Sequence, residues 1–259
     1  AILTLAEVAS LVDSSRAEDR YVLSKVKDLE KSGYQEMDMT LCALEYLYLV
    51  NAYEFMGIQP LEEHLDLVDE ALEKVIEAEQ MEYGIRASEL MPETPPPRYE
   101  GKRGILLLLK VSILNAMGRF QESVIHLNWI MDHKHMLMTD DWIFPHTLWE
   151  AGITSWNLEQ KPQSMSFWGN ALKFTNYHFE HRLTMKISLA VKHAQELGIS
   201  STQIKRQYKL NSSIICASDF YDNDVYQNSN SSESTIATIV ANKLSNEKML
   251  GQHTVDQFQ

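Results

Sequence analysis

The densest run of side chains able to do chemistry is HLNWIMDHKH, which carries His126, Asp132, His133 and His135. Metal ligands on a helix must recur at a spacing of three or four to share a face. His133 and His135 are two apart and point to different sides, so this reads as a polar helix end and loop. His178 and His181 are better spaced, but no third ligand accompanies them. An acid near the positive end of a helix explains Glu180 between them. There is no GxSxG and no cysteine beside a candidate base, and Cys42, on a strongly apolar segment, reads as a core residue. GKRG at 101–104 lacks the glycine and Ser/Thr that flank a phosphate loop. In DFYDND, counted from Asp219 as a calcium loop, Tyr221 takes a ligand position, Asp224 stands where the turn needs glycine, and Asn230 replaces the bidentate Glu. Asn211 and Asn230 open glycosylation sequons, which mean nothing in a cytosolic chain. The expectation is no catalytic residue, no metal and no cofactor.

The elements behind these residues are helices. The chain has 259 residues, 44% hydrophobic and 23% charged, enough to bury a core without staples. Cys42 and Cys216 stand 174 positions apart with no CxxC, which excludes a disulfide scaffold or zinc ribbon and suggests a reducing compartment. A net charge of −13 repels nucleic acid. Ten glycines and seven prolines leave little room for many hairpins, against an all-β fold. The opening AILTLAEVASLV lacks a basic leader and contains Glu7, a poor signal peptide, and it begins inside a helical pattern, as a piece of a longer protein would. The most apolar run, Ile105 to Leu109, is cut by Lys110, too short to cross a bilayer.

Apolar spacing predicts helices over 2–12 and 17–32, the second stopped by Gly33. Residues 37–56 read as a buried helix, because between Leu41 and Met56 only Glu45, Asn51 and Glu54 are strongly polar. Pro60 opens a helix over 60–79, and four prolines in SELMPETPPPRYEG predict a loop over 80–98. Helices follow over 99–117, 120–132, 144–158, 162–176 and 180–197. From 198 the Ser- and Asn-rich composition reads as a disordered tail, with a short helix near 233–249. The domain plan is therefore N-terminal hairpins over 1–79, a loop over 80–98, C-terminal repeats over 99–197 and a tail over 198–259.

Segments 104–137 and 145–178 align partly on the tetratricopeptide pattern. Gly152, Ser164 and Ala171 take small positions where antiparallel helices touch, Leu148 and Trp168 the large ones. The first copy has Gly118 at its turn, then Phe120, Ser123 and Leu127, but Val111 where glycine is usual. The expected fold is all-α, a helical-hairpin, tetratricopeptide-like array forming a right-handed solenoid.

ALEYLYLVNAYEFMG (43–57) resembles a helix of the family containing tetratricopeptide repeat protein 39 and the fungal inclusion body clearance proteins, with Val50 where Trp is common. EDRYVLSKVKDL (18–29) is similar to the stretch before that helix, and DDWIFPHTLWEAGI, NALKFTNYHFEHRL and KISLAV to the family's C-terminal end. Pro145, Glu150, Gly152, Ala171, Phe179, Glu180, Arg182 and Leu183 stand at matching positions, and the similarity covers about 1–197. The resemblance implies an all-helical C-terminal repeat region of a longer protein, cytoplasmic and also compatible with the nucleus; the residues themselves read as a non-enzymatic interaction scaffold. For the fungal members it implies inclusion clearance in association with lipid-droplet proteins; animal relatives serve as adaptors in other pathways.

In such an array Leu108, Ser112 and Asn115, with Ile105 and Ala116, and His146, Trp149, Ile153, Trp156 and Asn157 would line a concave groove for a partner's peptide or helix. All five tryptophans lie between Trp129 and Trp168, and they either line this groove or fill the core between hairpins. The register lacks the Lys/Asn clamp for a carboxylate tail. Twelve acids against three basic residues give −9 between Pro60 and Glu100, a solvated face or an acidic docking surface. Two rivals stand beside the scaffold: an adaptor brought to a droplet or membrane surface by a partner, since no basic amphipathic helix supports direct anchoring, and a helical enzyme with an unrecognised site.

Overall fold

The computed structural model describes residues 7, 11–12, 15–31, 33, 39–88, 99–137 and 141–199. The expected helix over 2–12, the proline run and the tail lie almost wholly outside them. Among the described residues there are eight α-helices, two short 3-10 helices and no strand. The helices are α1 (Ala17–Lys31), α2 (Met39–Leu49), α3 (Ile58–Ser88), α4 (Tyr99–Ala116), α5 (Phe120–Asp132), α6 (Ile143–Asn157), α7 (Lys161–Ala171) and α8 (Glu180–Glu196). The all-α expectation holds.

α4 and α6 are the central pair. Leu106 to Leu109 in α4 are all buried, so neighbours must cover it on several sides. α3, α5 and α6 pack on it, joined by α2 and the 3-10 turn Tyr53–Phe55. α6 is sealed along nearly its whole length, against α4, α5, α7 and α8. Gly152 sets the α6–α7 approach: a Cβ built there would lie 2.1 Å from Trp168 Nε1. Gly104 does the same for Leu137, at 2.6 Å. Lys110–Asp69 (2.6 Å) and Arg103–Glu79 (3.1 Å) tie α3 to α4.

Two boundaries differ from expectation. The loop expected from residue 80 begins later, because α3 continues to Ser88. QMEYGIRAS has no proline, and Arg86 bonds Glu82 one turn back at 2.7 Å. α2 stops at Leu49 rather than running to Met56, because Asn51 turns left-handed at φ 66°. The amide of Ala52 then reaches the Leu47 carbonyl and that of Asn51 the Tyr48 carbonyl, both at 2.8 Å, a Schellman closure. The chain can thus turn back so that α2 lies over the face of α4 and α6 on which the groove was expected.

Candidate functional site

The site grows from one polar network between α4 and α6. Asn115 is buried, 8% exposed, in an otherwise apolar stretch, so its carboxamide must be satisfied internally. Its Nδ2 donates to Glu150 Oε2 at 2.9 Å, and its Oδ1 accepts from the hydroxyls of Ser123 and Thr154, each at 3.0 Å. Glu150 is 3% exposed. The Tyr48 hydroxyl from α2 hydrogen-bonds the Glu150 carboxyl and lies 3.1 Å from His146 Nδ1. Since the tyrosine has one proton to give, a consistent pattern has His146 Nδ1–H donating to Tyr48, which donates to Glu150. His146 Nε2 then has no partner among the described residues.

Burial dominates the electrostatics. It pushes the Glu150 carboxyl up, opposed by the Asn115 bond and the Lys186 charge, and pushes the Tyr48 hydroxyl well above its ordinary value. Burial, helped by the Lys186 charge, holds His146 down at about 3, so the ring is neutral at pH 7. Lys186 on α8 is itself lowered by burial, offset by Glu150 and Glu54. Its ammonium contacts Asn51 Oδ1, stands 3.7 Å from Glu54 Oε1 and lies 5.4 Å from the centre of the Trp149 ring.

Two clefts open beside this network, each of about 220 Å³. The first has Glu54, Glu150, Asn51, Ser112, Asn115 and Asn157 among its polar lining, with Tyr53, Ala116, Phe120 and Ile153 on its walls. The second is aromatic, formed by Trp149, Trp156, Trp168, Ile153, Asn157, Ala190 and His193. Ile153 and Asn157 belong to both, so the clefts adjoin along α6. In the second, Trp168 stacks between Trp149 and Trp156, with centroids 5.8 and 5.7 Å away.

The expected groove residues therefore divide. Ser112, Asn115, Ile153 and Asn157 meet in the first cleft, and Trp149, Ile153, Trp156 and Asn157 in the second. Leu108 is fully buried, Ile105 packs half-buried against the same core, and His146 is enclosed by Tyr48, Trp142 and Tyr177. Those three do not line either cleft, and for His146 it is Tyr48 of α2 that covers the ring. Asn115 lines the first cleft with its carboxamide already spent on the network. The five indoles also divide: Trp142, Trp149 and Trp168 are buried, Trp129 and Trp156 half-buried.

The residues missed from sequence are Tyr48, Asn51, Glu54 and Glu150, with Lys186 and His193 from α8. A signal existed for two of them, Asn51 and Glu54, which with Glu45 are the strongly polar side chains of a nearly apolar stretch.

The histidine run is not assembled as ligands. His133 stacks on Trp129 with centroids 4.1 Å apart and its Nδ1 is 2.8 Å from the Trp129 carbonyl, while His135 and His181 are exposed. Among the described residues no group of three or more His, Cys, Asp or Glu side chains is arranged to hold a metal ion. Glu180 caps locally, accepting the Asn176 amide at 2.7 Å. Cys42 is half-buried rather than core. No helix among the described residues is long and apolar enough to cross a membrane.

Compared with known proteins, the chain matches no family model, and no solved structure matches it significantly.

Proposed function

We propose that this chain is a non-enzymatic scaffold or adaptor that holds a segment of another protein against α6, and that its helices are hairpins of a tetratricopeptide-like, right-handed solenoid. The observation that carries the reading is the pair of adjoining clefts sharing Ile153 and Asn157. At about 220 Å³ each falls below the ~300–1,000 Å³ typical of small-molecule sites, yet suits a single side chain. Neighbouring pockets on one helix take neighbouring residues of one segment. The repeat assignment is supported by the α4–α5 and α6–α7 packings and by the glycine–indole approach at Gly152.

The resemblance to inclusion body clearance proteins extends the proposal to a cytoplasmic adaptor, compatible also with the nucleus, that engages lipid-droplet-associated proteins. Attachment to a droplet or membrane surface would then run through the partner, and the purified protein should fail to float with droplets stripped of protein. A second reading, an all-α enzyme, draws on Glu150, since a carboxyl in a cleft whose pKa burial raises is the kind of group a general acid uses. It is less favoured because Asn115 and Tyr48 already engage that carboxyl.

Trp156 gives the cleaner test, because Trp149 is only 7% exposed and its loss would damage the core. Proximity labelling of the full-length protein in cells, repeated with Trp156→Ala, should show a defined subset of neighbours lost. A Trp156→Ala protein with an unchanged circular dichroism melt and the same neighbours would overturn the groove.

A further inference from the structure

We propose that the cleft at Glu54 and Glu150 receives the cationic end of a lysine or arginine side chain of a partner protein, while an apolar side chain of the same segment, about two to four residues away, enters the aromatic cleft beside it. This rests on the interaction reading above and names the chemistry of the partner.

Charge comes first. Glu54 and Glu150 both line the first cleft, and Lys186 is the cation facing both of them. Lys186 does not line that cleft; it is held at the edge by Asn51 and Glu54, over the Trp149 ring. Two acidic side chains share the one Lys186 ammonium and line the cleft with acceptor oxygens that a second cationic group can meet, whereas an anionic group would meet both acids. The walls point the same way. Ala116, Phe120, Tyr53 and Ile153 offer apolar surface to an alkyl stem whose charged tip reaches the acids, as lysine and arginine stems require.

The neighbouring cleft decides the rest of the segment. Trp149, Trp156, Trp168, Ile153 and Ala190 make its surface almost wholly apolar, so its occupant is apolar. Because Ile153 and Asn157 stand between the clefts, the two occupants lie within one segment's reach. The chain's own charge of −13 attracts a basic segment from a distance.

The test uses the full chain with its isoleucine methyls carbon-13 labelled, following the Ile153 methyl by NMR. The probes are butylammonium, butyrate, an acetylated and amidated peptide with lysine three residues before leucine, and that peptide with glutamine replacing lysine. Butylammonium and the lysine peptide should shift the signal saturably and butyrate should not. The glutamine peptide should bind about tenfold more weakly or worse, and Glu150→Gln, which keeps an acceptor for Asn115, should erase that difference. Glu54→Gln, at the exposed rim, repeats the measurement without touching the core.

Equal binding of the two peptides overturns the cation assignment and leaves the interaction reading intact. Binding of butylammonium but of neither peptide overturns the partner segment. A shift of the Ile153 methyl on replacing Lys205, Arg206 and Lys209 by Gln, with no probe present, would mean that the chain's own IKRQYKL fills the cleft, and overturns the partner in trans.

Discussion

Asn115 shows how much one carboxamide can carry. Its Oδ1 holds the hydroxyls of Ser123 and Thr154, and its Nδ2 holds Glu150. Asn115→Ala strands all three in a water-poor place, and each orphaned buried group costs about 1–3 kcal/mol. Urea unfolding should therefore show a loss of about 3 kcal/mol or more. Two buried titrating groups give opposite pH slopes. His146 falls from 6.5 unfolded to about 3 folded, so its contribution is present above pH 6.5 and is lost as pH drops towards 3. Over that window stability should fall by up to about 1.4 kcal/mol per pH unit, and His146→Phe should flatten the slope. Glu150 is raised above 4.5, so its contribution is full below 4.5 and is lost as pH rises through its folded value. Glu150→Gln should flatten that side of the profile. The sequence placed Asn115 and His146 on the expected groove face and Glu150 at a position of the family resemblance. Their mutual partnership was not legible there, since Tyr48 and His146 are 98 positions apart.

At the scale of elements, four helix ends close in the same way, with a left-handed residue at Asn51, Gly118, Glu159 or Gly198 and paired amide bonds back to the last turn. Two of these are glycines, and glycine punctuation was readable from sequence. Asn51 and Glu159 were not readable, because a side chain tolerated at positive φ leaves a weaker signature. Glu159 has φ 61°, so Glu159→Gly should relieve strain and raise stability by about 1 kcal/mol in a thermal melt, less the exposed Lys161 pair. Gly152 carries the opposite expectation. With the Trp168 ring 2.1 Å from a built Cβ, Gly152→Ala must push α7 from α6 and should lower stability by about 1–3 kcal/mol. Here the sequence was informative, because a glycine inside an apolar helix, with a tryptophan sixteen residues on, already suggested two helices touching. The end of α3 was misread because proline content marked the loop as a whole, whereas a helix stops only near the prolines themselves.

For the whole molecule, α1 and α2 fold back against the C-terminal helices. Arg182 pairs with Glu18, Tyr21 meets Phe179 edge-on at 6.3 Å, and Tyr48 reaches His146. This encloses His146, one of the positions expected to line a groove, and leaves Ser112, Ile153, Trp156 and Asn157 at the two clefts. If a basic segment binds there, its affinity should fall steeply with salt: between about 50 and 500 mM, titration calorimetry should show about a tenfold loss or more, with Glu150→Gln losing less.

Periodicity, glycines and prolines determined the helical class and most of the helix spans, because those depend on neighbours three and four residues away. The absence of a familiar catalytic motif was equally a matter of local spacing. What the tertiary structure decided was which tryptophans are sealed, which groove positions stay open and which polar groups share a buried network. Those properties arise from contacts between residues far apart in the chain, and local spacing does not encode where α2 comes to rest against α6.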